Sequence, residues 1–208
     1  VSREGAVAPR PRVAGWLVHQ VESVLTMTEL WPRIEPLLAG VQKPARYIGC
    51  EDGALSPRHS RNDVSWLLIY PDAYEVGLPN QGLQILYEIV NERDDAVAER
   101  SYAPWIDMAA AMRAAGAAGE VAALLAADVP LFSVDTHRAA DTFDIIGFGL
   151  AAELVYTNVL ECLDLARVPL RVADRGPEDP LVLAGGHAAL NPEPLADFLD
   201  AVVLRDGA

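Results

Sequence analysis

Cysteine is scarce in this chain. Its 208 residues include two, Cys50 and Cys162, which lie far apart and allow no CxxC or CxxxCxxC spacing. That excludes a disulfide framework and an iron–sulfur cluster held by three or four local thiolates. A reducing compartment, the cytoplasm, is the expected location, and each cysteine reads as a small buried apolar residue. Basic charge is also scarce. Sixteen Lys and Arg stand against 30 Asp and Glu, a formal net charge of -14. Such a chain lacks the positive surface that a phosphate backbone or an anionic lipid attracts, so nucleic-acid and membrane-surface roles are not expected. Long apolar runs are missing too. None approaches the ~20 residues of a membrane span, and Trp16–Leu25 is interrupted by His19, Gln20 and Glu22, which makes a poor signal-peptide core. There is no GxGxxG, Walker A, HExxH or nucleophile-elbow pattern either, so dinucleotide, nucleoside triphosphate, zinc-protease and serine-hydrolase readings have no motif to stand on.

What is there is enough for a packed core. Apolar residues make up 51% and charged residues 22%, which argues against wholesale disorder. Residues 1–40 read as a disordered and helical N-terminal extension. The first fifteen are rich in Pro, Arg, Ala and Gly, and helical apolar spacing then runs from Trp16 to Leu38, broken by Pro32 and Pro36. Gly40 ends it. From Val64 onward, short apolar runs alternate with amphipathic stretches. The runs at 64–70, 97–102, 130–134, 144–150, 181–184 and 201–204 read as strands, with a further extended piece at 169–172. The stretches at 82–93, 105–115, 120–127, 153–165 and 192–199 read as helices. In the first of these Leu83, Leu86, Ile89 and Val90 share a face, and in the fourth Leu154, Val155, Leu160 and Leu163 are core candidates.

Alternating strands and helices are the signature of βαβ units. The expected fold class is α/β, a doubly wound, Rossmann/flavodoxin-like parallel sheet over residues 41–208. Ligands in such sheets sit beyond the carboxyl ends of the strands. Glycines and polar residues gather at three such ends, Asp72–Gln81, Gly147–Glu153 and Gly185–Asn191. Gly185-Gly186-His187 directly follows an apolar strand, where paired glycines let a flat ligand or a phosphate approach the backbone or simply make a tight turn.

Several blocks together resemble a family of bacterial radical SAM proteins with a cobalamin-binding-like N-terminal domain. They are Gln42-Lys-Pro-Ala-Arg-Tyr-Ile-Gly49, Tyr70-Pro-Asp-Ala-Tyr-Glu-Val-Gly77, Gln81-Gly-Leu-Gln-Ile-Leu-Tyr87 and Glu99-Arg-Ser-Tyr-Ala-Pro-Trp105. Tyr156-Thr-Asn-Val-Leu160, Leu183-Ala-Gly-Gly186 and Asn191-Pro-Glu-Pro-Leu195 continue the resemblance. It implies a flavodoxin-like accessory domain ahead of a partial TIM barrel, whose CxxxCxxC thiolates hold a [4Fe–4S] cluster that cleaves S-adenosylmethionine. This chain has no such motif, so it is expected to be inactive alone, truncated before the barrel, with the barrel as its partner. The implied ligand is cobalamin or the substrate, held over the barrel mouth. Candidate contacts are Asp72, Tyr74, Glu75, Gly77, Asn80, Gln81, Gly149, Glu153, Gly185, Gly186 and Asn191. Gly149 stands where relatives look to carry serine. Asp135-Thr-His-Arg-Ala-Ala140 approximates the Asp-x-His-x-x-Gly cobalamin motif, but Ala140 replaces its glycine and the site does not follow the first strand, so it reads as coincidence. The alternative is a non-catalytic interaction domain without cofactor, which predicts an exposed apolar patch. A flavin or nucleotide binder rests on fold analogy alone.

Overall fold

The structure is a computed structural model that describes residues 30–49, 51, 54–55, 63–114 and 129–204. Five strands form one parallel sheet in the order β2-β1-β3-β4-β5: β1 Val64–Tyr70, β2 Ala96–Tyr102, β3 Ile145–Gly149, β4 Leu181–Gly185 and β5 Ala201–Val202. Helix α1 is the single turn Trp31–Ile34 and α2 the single turn Tyr74–Gly77. Helix α3 spans Gln81–Asn91, α4 Ile106–Ala114 and α5 Tyr156–Ala166. The fold is α/β, with the flavodoxin-like strand order that the alternation implied.

Strand β1 lies between β2 and β3, and its two faces contribute to two separate clusters of buried residues, Leu67 and Ile69 to one and Leu68 and Tyr70 to the other, which is why it reads as one apolar run. Side chains alternate across the sheet with period two. Leu67 and Ile69, with their registered partners Ile146 and Phe148 and then Val182 and Ala184, point into the larger core. Met108 and Met112 of α4 and Val159, Cys162 and Leu163 of α5 close that face. Leu30 and Ile34 belong to the same cluster, so residues 30–40 pack into the core of the sheet domain. On the opposite face Leu68 and Tyr70 meet Ala98 and Tyr102, covered by Leu83 and Tyr87 of α3. The Asn80 side chain caps α3 by accepting from Leu83 N at 2.9 Å, which satisfies a donor the helix itself leaves unpaired.

Several expected elements differ. Residues 130–134 are no ladder strand: Phe132 makes an isolated antiparallel bridge to Ala139, and Val134 N donates to Arg100 O on the free edge of β2. The chain then turns through His137 at φ 60, so no ladder can extend. Residues 169–172 form no strand, and a 3-10 turn follows at Val172–Asp174. Instead of a helix at 192–199 there is one 3-10 turn, Glu193–Leu195, with Phe198 N on Leu195 O. Pro192 and Pro194 each remove an N–H donor there. The helix expected over 120–127 lies outside the described residues. Leu154, placed in the core by its spacing, is 90% exposed. On α3 the core positions are Leu83 and Tyr87, whereas Leu86 and Ile89 are each about half exposed.

Candidate functional site at the carboxyl ends of the strands

Strand order reverses between β1 and β3, and the crevice beyond their carboxyl ends is the usual binding position in such a sheet. Gly149 and Gly185 are register partners at the ends of β3 and β4. Both point to the face that carries Tyr70, and neither is crowded. A Cβ at Gly149 would meet nothing nearer than Tyr70 at 3.8 Å, and one at Gly185 nothing nearer than Val203 at 3.6 Å. Gly186 is different. Its φ is 102, and a Cβ there would lie 2.7 Å from the Leu150 carbonyl oxygen, so only glycine suits the position. That turn is pinned from both sides, since Leu150 N donates to Gly185 O and Ala188 N to Leu150 O. Asn158 Nδ2 of α5 donates to Pro71 O at 2.9 Å, which ties the β1 exit to α5. The Tyr156 hydroxyl shares its one proton between the carbonyls of Ala188 and Asn191, 2.8 and 2.9 Å away. The Glu153 and Asn191 side chains are exposed, and Asp72 is half-buried with its carboxylate on Ala73 N.

The other sequence-selected residues gather on the β1–β2 side, in a separate set of contacts. Glu75 is bound by Lys43 and Arg46, each at about 3 Å. Those hydrogen bonds, Lys43's first, hold its carboxyl down at about 2. Arg46 in turn lies over the Trp105 ring at 4.7 Å. Tyr74 donates to Glu51, and burial together with that carboxylate pushes its hydroxyl well above the usual tyrosine range. Gly77 sits against the Tyr102 ring so closely that no Cβ fits. Asn80 is the α3 cap and Gln81 is exposed beside it. The structure therefore brings Asp72, Gly149, Gly185 and Gly186 toward one crevice and leaves Tyr74, Glu75, Gly77 and Asn80 within a scaffold beside it.

That scaffold contains residues that sequence reasoning did not single out. Arg100, 2% exposed, is paired with Asp135 at 2.7 Å and with Glu51 at 3.6 Å, and lies over the Tyr87 ring at 4.3 Å. Burial opposes its charge, but Asp135 outweighs burial and keeps the guanidinium protonated. On the opposite face of β2, Glu99 is fully buried and accepts from Ser133 and Thr136. Tyr102 is 5% exposed and its hydroxyl has no hydrogen-bond partner among the described residues. It lines a narrow cleft with Arg46, Tyr47, Tyr74, Trp105 and Met108. His137 is buried between the Trp31 and Phe132 rings, with Nε2 2.8 Å from Tyr47 O. Burial lowers its pKa, so it stands as a neutral packing group.

A family model described as "Radical SAM proteins, N-terminal" matches residues 82–208, more than half of the chain. The chain belongs to this family. No match is found among curated proteins or among solved structures. Membership makes the chain an N-terminal accessory domain of a radical SAM protein and implies a [4Fe–4S] cluster and S-adenosylmethionine in full-length relatives. Cys50 and Cys162 cannot supply the CxxxCxxC ligands of such a cluster. Among the described residues no helix is long and apolar enough to cross a membrane.

Within the radical SAM N-terminal domain, the matched region contains Gly149, Gly185 and Gly186 and the β2 network, while Asp72, Tyr74, Glu75, Gly77 and Asn80 precede it. Its β2 block, Glu99 to Trp105, supplies the buried network, and its glycine block supplies the β4 turn. Charged residues within a strand were the available signal for the network: Glu99 and Arg100 follow the apolar Ala96-Val97-Ala98 of β2 and must be paired if buried. What the sequence did not reveal is that Asp135, Ser133 and Thr136 arrive from a loop more than thirty residues away.

Proposed function

We propose that the chain places cobalamin, or the substrate of the reaction, at the carboxyl ends of β1, β3 and β4, facing a radical SAM barrel that performs the chemistry. The carrying observation is the uncrowded pair Gly149 and Gly185, beside the Gly186 turn and the crevice of the parallel sheet. A flat ligand needs backbone without side chains at such a place, and the adjoining turn is held by the Leu150–Gly185 and Ala188–Leu150 hydrogen bonds. The protein's part is placement, while cobalamin supplies the chemistry when bound. The residues fit a flat ring or its tail better than they fit a coordinated metal. His137 in the Asp135–Ala140 segment is turned inward to Tyr47 O, so corrin binding here would proceed without that imidazole. Exposed Leu154 and Leu190, 90% and 66% accessible, flank the crevice and suit contact with the barrel.

Titration of the purified chain with hydroxocobalamin, read by visible absorbance, tests this. Saturable binding is expected, weakened at least tenfold by Gly149→Leu or Gly185→Leu, with circular dichroism unchanged because both positions have room. Absence of saturation at millimolar ligand would sink the cobalamin reading. The non-catalytic interaction domain would then stand in front, supported by the same exposed apolar residues.

A further inference from the structure

Two buried charges of β2 take no part in the crevice. Glu99 is fully buried and Arg100 is 2% exposed. As neighbours on a strand they point to opposite faces of the sheet, and the strand that carries them is an edge. β2 pairs with β1 on one side, and among the described residues no strand pairs with its other side. Val64 N donates to Asp95 O, so the odd-numbered peptide groups of β2 face β1 and the even-numbered ones face outward. An open edge of this kind is a row of unpaired N–H and C=O groups, a template for pairing with another chain.

At the centre of β2 those outward groups are already taken. The Asn91 side chain, at the end of α3, accepts from Ala98 N at 3.1 Å and donates to Ala98 O at 3.0 Å. A side-chain amide holds a donor and an acceptor together, as the backbone of a neighbouring strand would. Arg100 N donates to Asp135 Oδ2 at 2.7 Å, and Arg100 O accepts from Val134 N at 2.8 Å. A carboxylate only accepts, so pairing ends there. Loop 131–140 is gripped from both faces of the strand. On one, Arg100 Nη2 donates to Asp135 Oδ1 at 2.7 Å. On the other, Glu99 accepts from the Thr136 hydroxyl at 2.8 Å, from Thr136 N and from the Ser133 hydroxyl. The Ser101 hydroxyl adds a bond to Phe132 O at 2.8 Å. The loop thus straddles the edge of β2, with one buried charge anchoring it on each face. All of these contacts join described residues, so the capping of Ala98 and Arg100 does not rest on residues 1–29 or 115–128.

We infer that loop 131–140 and Asn91 are a clasp that closes the β2 edge against strand addition, above all by β2 of a second copy of the chain. Glu99 and Arg100 are its anchors, which accounts for two adjacent charges buried on an edge strand. β1 separates this edge from Gly149 and Gly185 on β3 and β4, so the inference goes beyond the cobalamin reading and does not depend on it.

The test uses the full chain as native protein, as Asn91→Ala, and as Asp135→Leu combined with Arg100→Met. The double variant removes both partners of the ion pair, so neither is left buried without the other. Amide exchange by NMR and sedimentation velocity are each measured at low and at high protein concentration. In the native chain the Ala98 and Arg100 amides should be protected at both. At low concentration exchange should quicken at least tenfold at Ala98 in N91A and at Arg100 in the double variant, with the amides of β1 and β3 unchanged. At high concentration both variants should associate further than the native chain, and protection should return at the same amides, because a second β2 then supplies the missing partner. Faster exchange throughout β1 and β3 would overturn the inference, since the contacts would then serve overall stability alone. Folded variants that associate no more than the native chain would overturn it as well. N91A leaves the Arg100–Asp135 pair intact, so it decides by the same criteria if the double variant does not fold.

Discussion

At the scale of single residues, the glycine of the β4 turn is the most constrained position. Gly186 combines a left-handed φ of 102 with a Leu150 carbonyl 2.7 Å from where a Cβ would stand. Gly186→Ala should therefore cost about 1–3 kcal/mol, the range for backbone held in an unfavourable region, as measured by urea unfolding. Gly149→Ala, with open space, should cost under about 1 kcal/mol. The doubled glycine was legible in the sequence as a special turn, but which of the two was constrained by the backbone was not. That depends on Leu150, which only the β3–β4 pairing brings there. Charged residues of β2 were harder still. Arg100 is held by Asp135 and Glu51, neither of which is near it in sequence.

At the scale of elements, α3 shows how far periodicity reaches. The spacing of Leu83, Leu86, Ile89 and Val90 predicted a helix, and α3 runs over Gln81–Asn91. It did not say which part of the apolar arc meets the sheet. Leu83 is 4% exposed and Leu86 51%, because α3 sits over β1 and β2 alone. Leu83→Ala should cost about 2–5 kcal/mol, as for a buried leucine, whereas Leu86→Ala should cost under about 1 kcal/mol in the isolated chain. Comparable losses at both sites in denaturant titrations would mean that Leu86 is packed as deeply as Leu83. The 130–134 run shows the opposite limit. Short apolar runs do not distinguish a ladder strand from a segment that only follows a sheet edge, and here the turn at His137 decides.

At the scale of the whole molecule, charge sets the response to acid. Glu75 titrates at about 2 instead of its ordinary 4.5, and Asp144, bound by the Ser65 hydroxyl and N–H, is lowered as well. Groups with depressed native values stabilise the fold above the ordinary carboxylate range and lose that contribution as pH falls through the native values. His137 is also depressed, by burial, below its ordinary 6.5. The unfolded chain takes up that proton first, so His137 adds a loss as pH falls below 6.5. Stability should be highest near neutrality, decline below pH 6.5 and fall further from about 4.5 toward 2. Unfolding midpoints across that range should show the first part flattened by His137→Asn, which tolerates a positive φ, and the second by Glu75→Gln.

The sequence by itself determined the α/β class and the lack of local cluster ligands, because hydrophobic period and cysteine count are local properties of the chain, whereas the strand order is fixed by pairing between distant segments. It also placed glycines at the strand ends where a parallel sheet binds ligands. Only the tertiary structure decided which candidates share one crevice. Asp72, Gly149, Gly185 and Gly186 gather at the strand ends, while Tyr74, Glu75 and Gly77 are taken up by Glu51, Lys43, Arg46 and Tyr102. The same holds for the apolar arc of α3, since whether an apolar side chain is core or surface depends on which element lies beside it, and that is a property of the assembled sheet.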